Sequence, residues 1–339
     1  MPPEGPSGGP GSSWGPRAGE GPDGVPLPGP AGDRRRRLKV ALALGSLYVI
    51  WGSTYLAILM AIDTLPPFLM AGVRFVVAGA LLLAWAWSRG GGTPGVHLWK
   101  TAALAGLLMF LVGNGTVVWA QQFVPSGLVA LLVASVPFWI VLLDWALGRG
   151  RAPGPATTLG ILLGFVGVAI LVSGSEIGRA GPEHLLGGAL VLIGSVSWAA
   201  GSLVARYGAR PPSAALGNGM QMLAGGVALL VLGLLTGEGA SFHPASASLS
   251  SLLALLYLTL FGSLLAFSAY IWLLRNTTPA VASTYAYVNP VVALLLGWGL
   301  AGESLSLRTG LAAFVILSSV VLISVRPARG HVGRGRTSP

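Results

Sequence analysis

An arginine lies inside an apolar run of the sequence, where a charge needs a partner. Arg74 is nine residues into the run at about 66–88. If that run crosses a membrane, the charge costs at least about 2.5 kcal/mol. A planar guanidinium fits a carboxylate with two parallel bonds, so Arg74 is predicted to anchor an anion or to take part in a gate. The alternative is a structural arginine bonded to helix-end carbonyls, and the sequence leaves both open.

Aromatic, hydroxyl and amide side chains in the apolar runs form a wider set of candidates. Polar groups in hydrocarbon turn inward, because an unpaired amide or hydroxyl there is costly. Tyr285 and Asn289 are four residues apart and share one helical face. Such groups line a binding cavity or, alternatively, bond neighbouring helices to one another. The predicted substrate-binding residues are Arg74, Trp51, Ser53, Thr54, Asn114, Trp198, Gln221, Tyr285, Tyr287 and Asn289.

Two prolines fall in the middle of apolar runs. Pro137 and Pro290 each remove a backbone hydrogen bond and free a carbonyl four residues earlier, at Val133 and Ala286. Both prolines are predicted to be hinges. They are equally compatible with fixed kinks that shape the helices.

Several kinds of chemistry have no residues to support them. The chain has no cysteine, and its four histidines lie in predicted loops or tails, without an HExxH motif or a serine partner. We therefore expect no enzyme, no metal and no cofactor. The acids lie at run ends or in loops, apart from Asp144 near an edge and within reach of Arg149. A cation extruder driven by a mid-membrane carboxylate is not expected.

The composition predicts a membrane protein. Hydrophobic residues make up 53% of the chain, charged residues only 9%, and the mean hydropathy is +0.76. Soluble domains carry about 25% charged residues. The net charge of +10 could suggest nucleic acid, but its placement beside apolar runs argues against that partner. The expected partners are a small-molecule substrate and the lipid bilayer, with a homodimer left open.

Ten apolar runs are long enough to cross about 30 Å of hydrocarbon as helices of about 20 residues. The fold class is therefore predicted as all-α and polytopic, with ten transmembrane helices. The runs lie at about 40–62, 66–88, 100–122, 126–147, 156–173, 186–206, 213–236, 251–274, 279–300 and 308–325.

The distribution of basic residues predicts the orientation. With the N-terminus inside the cell and ten alternating spans, seventeen of the twenty Lys and Arg residues fall on the cytoplasmic side. Only Arg179 and Arg308 fall outside, and Arg74 lies within a span. One span more or fewer would spoil this segregation. Both termini are therefore predicted to be cytoplasmic, in the inner (plasma) membrane.

The two ends of the chain differ in composition from the apolar part. Residues 1–33 hold nine prolines and ten glycines and no apolar periodicity, which predicts disorder. The predicted divisions are a disordered tail with a basic collar at 1–37, five-helix repeats at 38–173 and 186–325, and a basic tail at 326–339.

The second half of the apolar part repeats the first. At an offset of 153, Trp119 matches Trp272, Pro137 matches Pro290 and Trp145 matches Trp298. Because five is odd, two halves of the same fold enter the membrane from opposite sides. Such an inverted repeat can open inward or outward at similar energy, which a transporter needs. Gln221 then occupies the position related to Arg74, so a preference for carboxylates would be confined to one side.

Several segments resemble the EamA-type drug/metabolite transporters, closest to the YedA-like inner-membrane exporters among them. The resemblance covers about 38–325 and implies a central cavity walled by four helices of each half, alternating access, and export of metabolites such as amino acids. Uptake, and a sensor or regulatory role without transport, are the alternatives. The segments are WGSTYLAI (51–58), MAGVRFVVAGALLL (70–83), VGNGTVVWA (112–120), VPSGLVALLVASVPF (124–138) and TPAVASTYAYVNPVVALLLGWGLAGE (278–303).

Overall fold

The computed structural model describes residues 30–90, 92–150, 152–172, 181–209, 211–277 and 285–324. In these ranges the regular structure is entirely helical. The long helices are α1 (Pro30–Ala61), α2 (Pro67–Ser88), α3 (Val96–Ala120), α4 (Ser126–Ala146), α5 (Pro155–Val172), α6 (Pro182–Tyr207), α7 (Ala214–Leu235), α8 (249–276), α9 (Tyr285–Ala301) and α10 (Leu307–Ser324). A short helix, Glu238–Ser241, and a 3₁₀ turn, Pro244–Ser246, lie between α7 and α8.

Within the described ranges, seven helices are long and apolar enough to cross a membrane by length and composition. They correspond to α1–α4 and α6–α8. Parts of the other three form shorter apolar helices, at Pro155–Ile170, Val288–Ala301 and Leu307–Leu322. The count of ten crossings therefore stays a prediction.

The first helix begins earlier than the sequence predicted. Backbone contacts divide the chain into two units, residues 1–42 and 43–339, and α1 begins at Pro30 in the first of them. Residues 30–37, which we had assigned to the disordered tail, are therefore helical. Proline is tolerated in the first helical turn, and the arginines that follow are good helix formers. Residues 1–29 lie outside the described part, so the prediction of disorder there is untested.

Glycines bring α2 and α7 into close contact. A Cβ atom at Gly79 would lie 2.7 Å from the backbone nitrogen of Leu223, and one at Gly226 would lie 2.7 Å from that of Val76. Larger residues would push the two helices apart. In the same way Gly167 of α5 faces Ile316 of α10. The second and fifth helices of one half thus pack against their counterparts in the other.

The first helix of each half bonds to the third helix of the other half. Ser251 of α8 donates its hydroxyl to the carbonyl of Met60 in α1 at 2.8 Å. Ser197 of α6 donates its hydroxyl to the carbonyl of Leu108 in α3, also at 2.8 Å. Exchanging the two halves maps one pairing onto the other.

Candidate functional site

The helices α3 and α8 each contain a π-helical segment in the middle. These segments are Leu107–Asn114 and Leu258–Leu265. A π-helical turn interrupts the regular backbone ladder and is frequent at functional sites. Gly113 and Gly262 lie within the two segments, where the missing side chain lets a large neighbour approach. Both centres described below are built on these glycines.

Trp51 of α1 packs on the π-helical segment of α8. Its indole N–H donates to the carbonyl of Gly262 at 3.0 Å. The ring centroid lies 4.8 Å from that of Tyr285, 5.3 Å from that of Phe267 and 5.5 Å from that of Tyr270. Aromatic pairs of this kind contribute about 0.5–1.5 kcal/mol beyond their buried area. These four aromatic residues are called the Trp51 cluster below.

Arg74 of α2 reaches the same segment from the other side of the glycine. It is 5% exposed, and its Nε donates to the hydroxyl of Ser263 at 2.9 Å. The guanidinium carbon lies 4.8 Å from the ring centroid of Phe75. A Cβ atom at Gly262 would be 3.1 Å from the Nη2 atom. Trp51 therefore bonds to Gly262, and Arg74 bonds to the next residue, Ser263. The hydrogen bond of Arg74 goes to a hydroxyl, not to the carbonyls of a helix end.

Trp198 of the second half packs in a related way on α3 of the first half. The ring of Trp198 in α6 lies 5.8 Å from that of Phe110 and covers Gly113, where a Cβ atom would be 3.1 Å from the indole. The backbone carbonyl of Gln221 in α7 lies against Gly106. In both α3 and α8 a tryptophan thus lies on a glycine of the π-helical segment. Gln221 lies against Gly106, just before the segment of α3, through its backbone, and carries no charge.

Hydroxyl groups near the Trp51 cluster are bonded to their neighbours. Ser53 shares a 2.7 Å hydrogen bond with the hydroxyl of Tyr257 and donates to the carbonyl of Ile50. Thr54 donates to the carbonyl of Trp51 at 2.6 Å. Their bonding agrees with the alternative in which such groups join helices or their own turns.

Three amides have buried acceptors without a partner. The Oδ1 atoms of Asn114 and Asn289 and the Oε1 atom of Gln121 are buried and accept no hydrogen bond from the residues that the structure describes. Asn289 itself is 8% exposed, and its backbone carbonyl faces Gly52 beside Trp51. An unpaired buried amide oxygen costs about 1–3 kcal/mol. Asn289 is the one of the three that lies beside the Trp51 cluster, where its oxygen can accept a hydrogen bond from a polar ligand.

The predicted site residues therefore separate into two groups. Contacts place Trp51, Thr54, Arg74 and Tyr285 around the π-helical segment of α8, with Asn289 nearby. Asn114, Trp198 and Gln221 belong to the α3 side, and Ser53 bonds to Tyr257. The side chain of Tyr287 lies outside the described residues. Sequence reasoning missed Gly262, Ser263, Phe267 and Tyr270, although a Gly-Ser pair inside a helix was a usable signal of irregular backbone.

The two prolines lie at different kinds of position. Pro290 is inside α9, as the hinge interpretation requires. Pro137 lies at the start of the second segment of α4, Val136–Ala146, directly after a turn at residues 134–135. The helix is thus interrupted at Pro137, which is compatible with either a hinge or a fixed kink.

Two glutamates bond to the first turns of helices in the other half. Glu238 accepts from the backbone N–H groups of Phe68 and Leu69, at 3.1 and 2.9 Å. Glu303 accepts from those of Ser126 and Gly127, at 2.6 and 3.0 Å. A carboxylate there satisfies two unpaired donors and complements the helix dipole. Capping of this kind contributes about 0.5–2 kcal/mol.

A third acid, Asp144, lies at the opposite end of α4 from the Glu303 bond and has a different kind of partner. Asp144, near the end of α4, accepts a 2.7 Å hydrogen bond from the hydroxyl of Tyr207 at the end of α6. The Arg149 guanidinium lies 4.9 Å from the ring centroid of Tyr207. Asp144 and Arg149, which the sequence placed within reach of each other, thus both contact Tyr207.

Long apolar helices, with buried polar and aromatic contacts between the two halves, are the features of a polytopic helical membrane protein. The family model for the EamA-like transporter family matches residues 38–173 and 185–325. This chain belongs to the EamA-like transporter family. It is accordingly a transporter.

Curated relatives agree with this assignment, and a solved structure shares the fold. The inner membrane transporter YedA of Escherichia coli strain K12 is 44% identical over 294 residues, covering 86% of this chain and 92% of that protein. The transporter YvbV of Bacillus subtilis strain 168 is 25% identical, covering 86% and 93%, and protein PecM of Dickeya dadantii strain 3937 is 27% identical, covering 81% and 88%. A crystal structure with 22% identity shares the fold with a TM-score of 0.59, covering 87% of this chain and all of the other.

Proposed function

We propose that this transporter exports small metabolites such as amino acids by alternating access. The observation that carries the proposal is the recurrence of tryptophan on a π-helical segment, with Trp51 on α8 and Trp198 on α3. Two related centres, each formed by a tryptophan of one half on a helix of the other, are what an inverted repeat needs in order to exchange an inward-open for an outward-open state.

The cargo is proposed to bind beside Arg74 with an anionic end. Arg74 is buried and uses Nε for Ser263, which fixes the plane of its guanidinium. The two Nη groups then offer the fork that a carboxylate accepts. The Trp51 cluster next to it supplies an apolar, aromatic wall for the rest of the molecule. Gln221, on the other side, adds no charge, so the preference for an anion is one-sided.

Ten crossings with both termini in the cytoplasm form part of the proposal. In that topology the segments after α1, α3, α5, α7 and α9 share the outer side. Glu238 and Glu303, which follow α7 and α9, bond to the first turns of α2 and α4. Arg308 at the start of α10 donates to the carbonyl of Ile170 in α5 at 3.0 Å. Each bond joins segments that the topology puts on the same side, which supports α5 and α10 as full crossings.

Transport in proteoliposomes tests the proposed function. A panel of radiolabelled amino acids and other carboxylates would be offered under defined proton gradients, from either side of the membrane. We expect at least one carboxylate to move faster than in protein-free vesicles, and faster from the cytoplasmic side. Faster movement from the outer side would favour the uptake alternative. No movement of any member of the panel would contradict a metabolite exporter of this class.

A further inference from the structure

Glu238 and Glu303 are presented by the same local backbone. Each follows a glycine in the left-handed region, Gly237 with φ of 84° and Gly302 with φ of 67°, directly after the end of α7 or α9. Side chains are strained there, so glycine permits the sharp exit from the helix. In both places the chain turns back and points a carboxylate at the other half.

The helices that receive these carboxylates have no cap of their own. Pro66 precedes α2 and Pro125 precedes α4, and neither residue supplies a side-chain hydrogen bond to the helix. The first turns depend on the glutamates for these bonds. By contrast, α7 begins with a local cap, because the hydroxyl of Ser213 accepts from the backbone N–H of Leu216 at 3.1 Å.

The two glutamate bonds differ in how extensively the joined helices pack against each other next to the bond. Below Glu238, glycines at 72, 79 and 226 hold α2 and α7 together over several turns. Below Glu303, α9 packs against the first segment of α4, Ser126–Val133. Among the described residues, close glycine contacts between these two helices lie only at the turn of the bond itself, where Gly127 meets Leu294 and Gly297 meets Ser126. A cavity of about 210 Å³ adjoins this bond, lined by Pro125, Leu128, Leu294, Glu303, Ser304 and Leu305. Empty space beside the bond allows the ends of α4 and α9 to separate without unpacking a long interface.

We propose that the bond between Glu303 and the first turn of α4 is a gate, which closes the protein on the face where α4 begins and α9 ends. The bond of Glu238 to α2, on the same face, is permanent. The inference rests on alternating access as proposed above. Release of cargo on this face then requires that Glu303 leave Ser126 and Gly127. Because α4 loses its cap when that happens, the closed state is favoured in the absence of cargo.

The chain has no cysteine, so a single reporter can test the gate. Leu128, the residue that follows Gly127 in the first turn of α4, is 4% exposed. In a Leu128→Cys parent reconstituted in nanodiscs, we would measure the rate of labelling by an impermeant maleimide. Glu303→Gln keeps the size but places an NH₂ group against one of the two donors. We expect labelling to accelerate about tenfold, the order of change that loss of a helix cap produces.

Glu238→Gln in the same parent is the matched control, and we expect its labelling rate to stay within about twofold of the parent. Equal rates in the parent and in Glu303→Gln, or the same acceleration in both variants, would overturn the proposal. If Glu303→Gln does not fold, Glu303→Asp replaces it, since the shorter side chain cannot reach both donors. Labelling does not depend on cargo, so a transporter without measurable flux would contradict the proposed function while leaving this result intact.

Discussion

The indole N–H of Trp51 and the carbonyl of Gly262 are 3.0 Å apart, although 211 positions of sequence separate them. The bond joins the first helix of one half to the third helix of the other at the point where the α8 backbone is π-helical. Its acceptor is available because the π-helical turn disturbs the regular pairing of carbonyls. Neither residue, taken alone in the sequence, predicts this contact.

Trp51→Phe should lower stability more than Trp198→Phe does. Phenylalanine keeps most of the aromatic contact but loses the hydrogen bond to Gly262, which contributes about 0.5–1.5 kcal/mol. Trp198 contacts Phe110 and Gly113 through its ring, so its replacement removes packing alone. Thermal unfolding of both variants in the same detergent checks this. Equal melting temperatures would mean that the bond to Gly262 contributes nothing measurable.

Arg74→Lys should retain part of the affinity for a carboxylate cargo, and Arg74→Gln should lose most of it. Lysine keeps the charge but not the planar fork. Substrate affinity would be measured together with protein level and thermal stability. If both variants bind cargo normally and melt at a much lower temperature, Arg74 is a structural partner of Ser263 and the anion hypothesis is wrong.

Asp144→Asn should alter protein level or stability more than the pH dependence of transport. The carboxylate of Asp144 accepts a hydrogen bond from the hydroxyl of Tyr207, and the neutral asparagine accepts that bond more weakly. Tyr207→Phe removes the same bond without touching the carboxyl group and serves as the control. Flux at several proton gradients is the measurement. Loss of proton coupling in Asp144→Asn at normal protein level would instead identify Asp144 as a proton carrier.

Both termini should be cytoplasmic and the segment around 238–250 external. Single cysteines at Ser241→Cys and Thr337→Cys can report this without background from native thiols. An impermeant maleimide added to intact cells should label the first position and spare the second. The reverse pattern of labelling would require the opposite orientation.

The sequence was sufficient for the general architecture and for some site residues. Runs of apolar residues predict membrane helices, because the transfer of apolar side chains into lipid is favourable at every position along the run. Arg74 and Trp51 stood out by their chemistry. By contrast, Glu238 was recognised only as an acid at a helix end, because its partners lie about 170 positions away and follow no period. The early start of α1 was missed because the glycine- and proline-rich composition of the tail hid its last residues.

The π-helical segment of α8 also fixes the direction in which side chains point. Ser251 and Tyr270 are nineteen positions apart, which in an unbroken helix of about 3.6 residues per turn rotates one about 100° from the other. If the π-helical turn absorbs one extra residue, the two return to a common face, and both do contact α1, at Met60 and Trp51. Deleting a single residue from Leu258–Leu265 would therefore convert the segment into a regular α-helix and leave Tyr270 on the face of Ser251, whereas the irregular turn at which Gly262 meets Trp51 would be lost.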